Sequence, residues 1–254
     1  MANNWTRDEH ILAFNLYNRI PFGKTHKGNP EVIKLAELIG RTPSSVGMKL
    51  GNFARLDPAL KARGIKGLTN GAKGEVDIWN EYKAAPQDLA FESEQLLADR
   101  SKLDLTVSSE IETIDLPQIG KEREVLVKQR VNQSFFRRRV LSAYDHKCCV
   151  TGLAMPQLLV AGHIIPWAQD SDIRLDPQNG LCLNKLHDEA FERGLMWVDK
   201  NFVIHYTCEF EENTKNASEA YKWLKQFEGK ELILPKDFKP SQEFLKRHKI
   251  GEWR

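Results

Sequence analysis

Three short blocks between Cys148 and Leu195, reading CCVTG, VAGHIIPW and NGLCLNKLHDEAFERGL, restrict what this chain can build more than any other feature. His163, Asn179 and His187 follow one another there at separations of 16 and 8 positions. His163 comes after the apolar run LLVAG, which predicts the end of a strand. Asp176 to Gly180, DPQNG, is turn chemistry leading into a second apolar strand, LCL. LNKLHDEAFERG then predicts a short helix stopped at Gly194, with His187 and Phe191 four apart on one face. A neutral imidazole titrates near neutrality and can take a proton from water. An amide can fix a neighbouring ring, and a second imidazole can hold a divalent metal. Each residue also has a plain structural reading: a strand histidine that packs, and an Asn-Gly pair that only turns the chain.

At 254 residues the chain has room for one large domain or two modest ones. Its 41% hydrophobic and 28% charged content suits a soluble globular protein, and no apolar run is long enough to cross a bilayer. The opening MANNWTRDEH lacks the basic and apolar regions of a secretory signal, so the expected location is the cytoplasm. Cys148, Cys149, Cys182 and Cys208 are too few for a disulfide scaffold and form no CxxC pair, so packed, reduced thiols are expected.

Net charge is only +2, but it is unevenly spread. Residues 23–74 hold ten Lys/Arg against three acids, 75–120 hold three against eleven, and 121–147 hold eight against three. Two basic blocks around an acidic one predict two nucleic-acid-facing regions joined by a connector.

Within the first basic block the pattern is helical. Thr6 and Glu9 form a capping box ahead of Leu12, Leu16 and Ile20. Asn29 and Pro30 open a second helix that Gly40 closes, and Thr42 and Pro43 open a third carrying Val46, Leu50 and Phe53. This order is similar to a helix-turn-helix or a Myb- or SANT-like trihelical unit. It offers Lys49, Asn52 and Arg55 of the third helix to DNA, with Ser44 and Ser45 beside them. A helical adaptor with the same packing is the structural alternative. Residues 61–74, with four glycines and four basic side chains, predict a loop, and residues 75–82 a short helix. The acidic 86–120 segment reads as a helix followed by a linker. Beyond it, helices are expected at 133–144 and 217–227, strands at 202–207 and 231–234, and a last helix in the tail.

The central blocks resemble those of the HNH endonucleases found among bacterial restriction enzymes. The shared elements are C-x-x-T-G at Cys148–Gly152, H-I-x-P-W ending at Trp167, N-G-L-x-L at Asn179–Leu183 and H-D-x-A-F at His187–Phe191. Upstream Arg130, Gln133, Phe136 and Arg137, and downstream Pro240, Phe244, Leu245 and His248, extend the likeness over roughly residues 121–254. The resemblance implies a ββα-metal site that hydrolyses phosphodiesters. In it His163 is the general base, Asn179 orients that base, and His187 is a metal ligand. Many HNH sites carry a second ligand, Asp or His, immediately before the base, and here that position is Gly162. Water, a substrate phosphate oxygen, Asp176 or Asp188 are the candidates to complete the shell, which Mg²⁺, or Mn²⁺, tolerates because it keeps several waters. Glu192 stands where the family pattern has Asp.

The expected fold class is therefore α+β, with a mainly helical N-terminal domain (1–85), an acidic helix and linker (86–120), and a C-terminal ββα-metal nuclease domain (121–254, core 146–200). The expected activity is metal-dependent endonuclease cleavage of DNA, double-stranded by preference, in restriction or anti-phage defence. Cys148 is expected as a packed thiol, and Arg137 as a DNA-contacting, site-proximal or structural cation. One HNH site cuts one strand, so double-strand cleavage calls for a homodimer or sequential nicking. Two other readings stand beside this one. A DNA-binding protein could retain a degenerate HNH core, or a defence effector could use its N-terminal domain to sense a ligand or partner.

Overall fold

The structure is a computed structural model that describes residues 4–68, 71–111, 113–114, 116–210 and 218–250. It divides into two compact units, residues 1–135 and 136–254.

The first unit is helical. α1 (Arg7–Arg19) starts with the capping box, in which the Thr6 side chain accepts from the Glu9 N–H and the Glu9 carboxylate accepts from the Thr6 N–H. α1 is buried on nearly every side, from Glu9 to Tyr17, because α2, α3, α5 and α6 surround it. α2 (Pro30–Ile39) is capped by Asn29 and ends at Gly40, whose φ of 66° is the left-handed conformation a helix stop uses. α3 (Pro43–Ala54) is capped by Thr42. A short α4 (Pro58–Ala62) follows, then α5 (Lys73–Tyr82), α6 (Pro86–Ser101) and α7 (Leu105–Ser108). Phe14, Tyr17, Phe53 and Trp79 pack ring against ring at the centre. The helix of the acidic segment, α6, packs on α1 through a buried Asn15–Ser93 hydrogen bond.

α8 (Lys121–Ala143) begins in the first unit and ends in the second, where Phe136 and Val140 are buried. The second unit is built on an antiparallel pair, β1 (Leu159–His163) and β2 (Gly180–Asn184), in the register Leu159↔Asn184 to His163↔Gly180. α9 (Lys185–Glu192) follows β2 directly, completing the ββα order expected from the sequence. A second hairpin pairs β3 (Met196–Val198) with β4 (Ile204–Tyr206), and α10 (Ser218–Lys225) and α11 (Gln242–Ile250) complete the described residues.

The strand expected at 231–234 is not one. Only the bridge Val203↔Glu231 forms, and the segment divides its remaining bonds, Leu232 N–H to the Phe202 carbonyl and Ile233 N–H to that of Cys149. A backbone shared between two partners cannot extend a single ladder. Among the described residues no helix is long and apolar enough to cross a membrane.

Candidate active site

His163 ends β1 opposite Gly180. A Cβ on Gly180 would overlap Val140 and come within 2.9 Å of Phe136 Cζ, so the Asn-Gly pair is a packing requirement of α8 as well as a turn. The space lets Phe136 lie almost flat on the His163 ring, centroids 3.8 Å apart and planes at 13°, while Trp167 meets the ring edge-on at 5.6 Å. His163 Nε2 is 3.0 Å from the Arg174 carbonyl oxygen. A carbonyl only accepts, so Nε2 carries the hydrogen and Nδ1 keeps the lone pair of a base. Arg174 is itself held, its Nε donating to the Trp167 carbonyl at 2.6 Å and its guanidinium lying over the Trp167 ring. Burial holds the imidazole below the ordinary histidine pKa, so the ring is neutral and basic near pH 7.

Asn179 is buried, and its side chain grips backbone rather than an imidazole. Its Oδ1 accepts from the Ile165 N–H at 2.8 Å and its Nδ2 donates to the Ile165 carbonyl at 3.0 Å. The Asn179 carbonyl accepts from the Ile164 N–H at 2.9 Å. Three hydrogen bonds thus fix the two residues that follow His163, and the orientation reaches the ring through the chain.

His187 lies on α9 and is completely buried. Its Nδ1–H donates to Asn184 Oδ1 at 3.1 Å, leaving Nε2 with the lone pair and with no partner among the described residues. The rings of Trp223 and Phe227 flank it. Burial pushes its pKa down to about 4, so it is a neutral imidazole with an uncommitted nitrogen, the state a metal ligand needs. Asn184 was not singled out from the sequence, although an asparagine three residues before a helical histidine is a capping pattern. Behind it, the Asn184 N–H donates to Cys148 Sγ at 3.3 Å, which gives the packed thiol a place in the same chain of contacts.

Asp188 is half-buried one residue further on, and burial, then Glu192 and Glu189, push its pKa up to about 6. Its Oδ1 lies close enough to β1 to overlap a Cβ placed on Gly162. Asp176, the other carboxylate considered, is occupied differently: its Oδ1 accepts from the Gln178 N–H at 2.9 Å and caps the turn Pro177–Asn179. Arg137 donates to the carbonyls of Leu159 at 2.8 Å and Pro156 at 3.3 Å, so it staples the entry of β1 instead of facing a ligand.

Among the described residues no three His, Cys, Asp or Glu side chains gather as a metal site. The orphaned Nε2 of His187 and the carboxylate over Gly162 are nonetheless donors of the right kind for a divalent cation with a shell made up largely of water.

The third helix of the N-terminal unit differs from expectation. Lys49 is buried in an ion pair with the fully buried Glu75, and Asn52 donates to the same carboxylate at 3.0 Å. Arg55 lies beneath a glycine loop, where a Cβ on Gly71 would come within 2.8 Å of its Cζ. Gly47 and Gly51 admit the turn at Thr25 and the side chain of Leu68 against the same helix. The three side chains proposed to read DNA from α3 thus point into the unit's own packing.

Residues 148–199 match the family model described as HNH endonuclease. No curated protein matches the chain. The segment matched by the HNH endonuclease model carries His163, Asn179 and His187 on a strand, a turn and a helix, in ββα order.

Proposed function

We propose that this protein is a metal-dependent endonuclease that hydrolyses DNA phosphodiester bonds, acting in restriction or anti-phage defence. The observation that carries the reading is the state of His163: a neutral imidazole whose Nε2–H is fixed on the Arg174 carbonyl, leaving Nδ1 as the base. Nδ1 takes the proton of a water as that water attacks phosphorus, and Phe136 and Trp167 keep the ring from turning. Asn179 holds the segment behind the ring. His187 Nε2 would hold a divalent cation, with Asn184 setting the tautomer that leaves this nitrogen its lone pair. Such a cation would supply charge neutralisation for phosphodiester hydrolysis.

DNA contact by the first unit falls to the segments on either side of α3 rather than to α3 itself. Lys24, Lys27, Lys61, Arg63, Lys66 and Lys73 are exposed, on segments that flank α3. Cations of this kind attract a phosphate backbone without reading its sequence. Incubation of purified protein with supercoiled plasmid and Mg²⁺ or Mn²⁺ tests the activity. Nicked or linear product supports it, and intact plasmid under every divalent metal and DNA-modification state would leave the non-catalytic DNA-binding reading in its place.

A further inference from the structure

Gly162 on β1 and Asp188 on α9 stand 26 positions apart in the chain and claim one volume. A Cβ added to Gly162 would overlap Asp188 Oδ1, with Leu183 Cδ1 at 3.4 Å on another side. Gly162 is not among the glycines with positive φ, so its backbone conformation suits any residue. A larger residue there would meet the carboxylate end of Asp188 and displace it, with no strain in its own torsions.

The group that takes the space is a half-buried carboxylate with no hydrogen bond or ion pair among the described residues. Glu189 and Glu192 on the same helix add negative charge around it. Asp188 lies in the first turn of α9, where the helix dipole favours an acid. That role alone would put no constraint on Gly162. An uncompensated carboxylate in a partly dry setting is costly unless a cation meets it. The residue beside it in sequence, His187, presents a buried imidazole nitrogen that also lacks a partner.

Resting on the nuclease reading above, we propose that Asp188 is the second protein ligand of the divalent cation and that Gly162 keeps open the space its carboxylate requires. The ligand lost from the position before the base is thereby supplied from the helix. One imidazole and one carboxylate, with water and a substrate phosphate oxygen, make a sparse oxygen-rich shell suited to Mg²⁺ or Mn²⁺.

The test is Mn²⁺ binding to the full-length protein, followed by loss of the free-ion electron paramagnetic resonance signal, with plasmid cleavage and thermal melting measured on the same preparations. Asp188→Asn keeps shape and removes charge, and it is expected to weaken Mn²⁺ binding by about tenfold or more with an unchanged melt. Gly162→Ala retains every donor atom but drives a methyl group into the carboxylate, and it is expected to weaken Mn²⁺ binding as well. Should Asp188→Asn bind Mn²⁺ as tightly as wild type while both cut plasmid, Asp188 is not a ligand and the nuclease reading survives. A wild-type protein that neither binds Mn²⁺ nor cuts overturns both. If Gly162→Ala does not fold, Asp188→Asn decides the matter alone.

Discussion

Asn184 Oδ1 accepts two hydrogen bonds from His187, one from its backbone N–H at 3.0 Å and one from its ring Nδ1 at 3.1 Å. The first caps α9 and the second sets the imidazole tautomer, so a single oxygen joins helix initiation to the proposed ligand. Asn184→Ala should lose the cap, about 1 kcal/mol of stability, and leave the His187 ring free to rotate or change tautomer. Thermal melting reads the first effect and Mn²⁺ affinity the second. An unchanged affinity in a protein with a lowered melt would restrict Asn184 to capping.

The acidity of His163 gives the reaction a defined pH dependence. Burial lowers its pKa from the ordinary 6.5, and in its proposed role as base it works only when neutral. Single-turnover cleavage should therefore rise with pH through a midpoint below 6.5 and be level by neutrality. Phe136→Ala uncovers one face of the ring, and the midpoint should shift toward the ordinary value. A midpoint above 6.5 in the wild-type protein would point to a different group as the base.

Gly180→Ala places a methyl group against Val140 and Phe136, both buried on α8. Overpacking of this kind typically costs about 1–3 kcal/mol. The loss should appear in denaturant unfolding, together with slower cleavage, because the same ring of Phe136 steadies His163.

In the N-terminal unit, Lys49→Met removes the cation of a buried pair and leaves the Glu75 carboxylate uncompensated. Loss of one partner from such a pair costs about 3–5 kcal/mol. Stability should fall while the salt dependence of DNA binding stays the same. Replacing Lys61, Arg63 and Lys66 with glutamine should do the opposite, reducing the slope of log affinity against log salt by about 0.9 for each phosphate no longer neutralised. Equal effects of both sets on DNA affinity would return α3 to the interface.

The elements read correctly from sequence are those specified by neighbouring residues. The Thr6–Glu9 box, the Asn29-Pro30 start, the Gly40 stop and the Thr42-Pro43 start each work within about one helical turn, and all four are present. The order of strand, turn, strand and helix around His163, Asn179 and His187 was legible for the same reason. What escaped sequence reading depends on partners distant along the chain. Lys49 and Asn52 looked available because Glu75 lies in a separate, acidic stretch, yet it folds back to neutralise the first and bond the second. Asn179 was expected at an imidazole and bonds backbone 14 positions away. Gly162 looked like a missing ligand from β1 alone, and only the placement of α9 shows what stands in its space.

In the proposed reaction His163 activates the water. The most direct test of that role is single-turnover cleavage of plasmid DNA by wild type and His163→Ala, with Mn²⁺ binding measured on both. The variant should lose about 10²–10⁴-fold in rate, with Mn²⁺ affinity and melting temperature retained. Cleavage by His163→Ala at the wild-type rate would contradict that role.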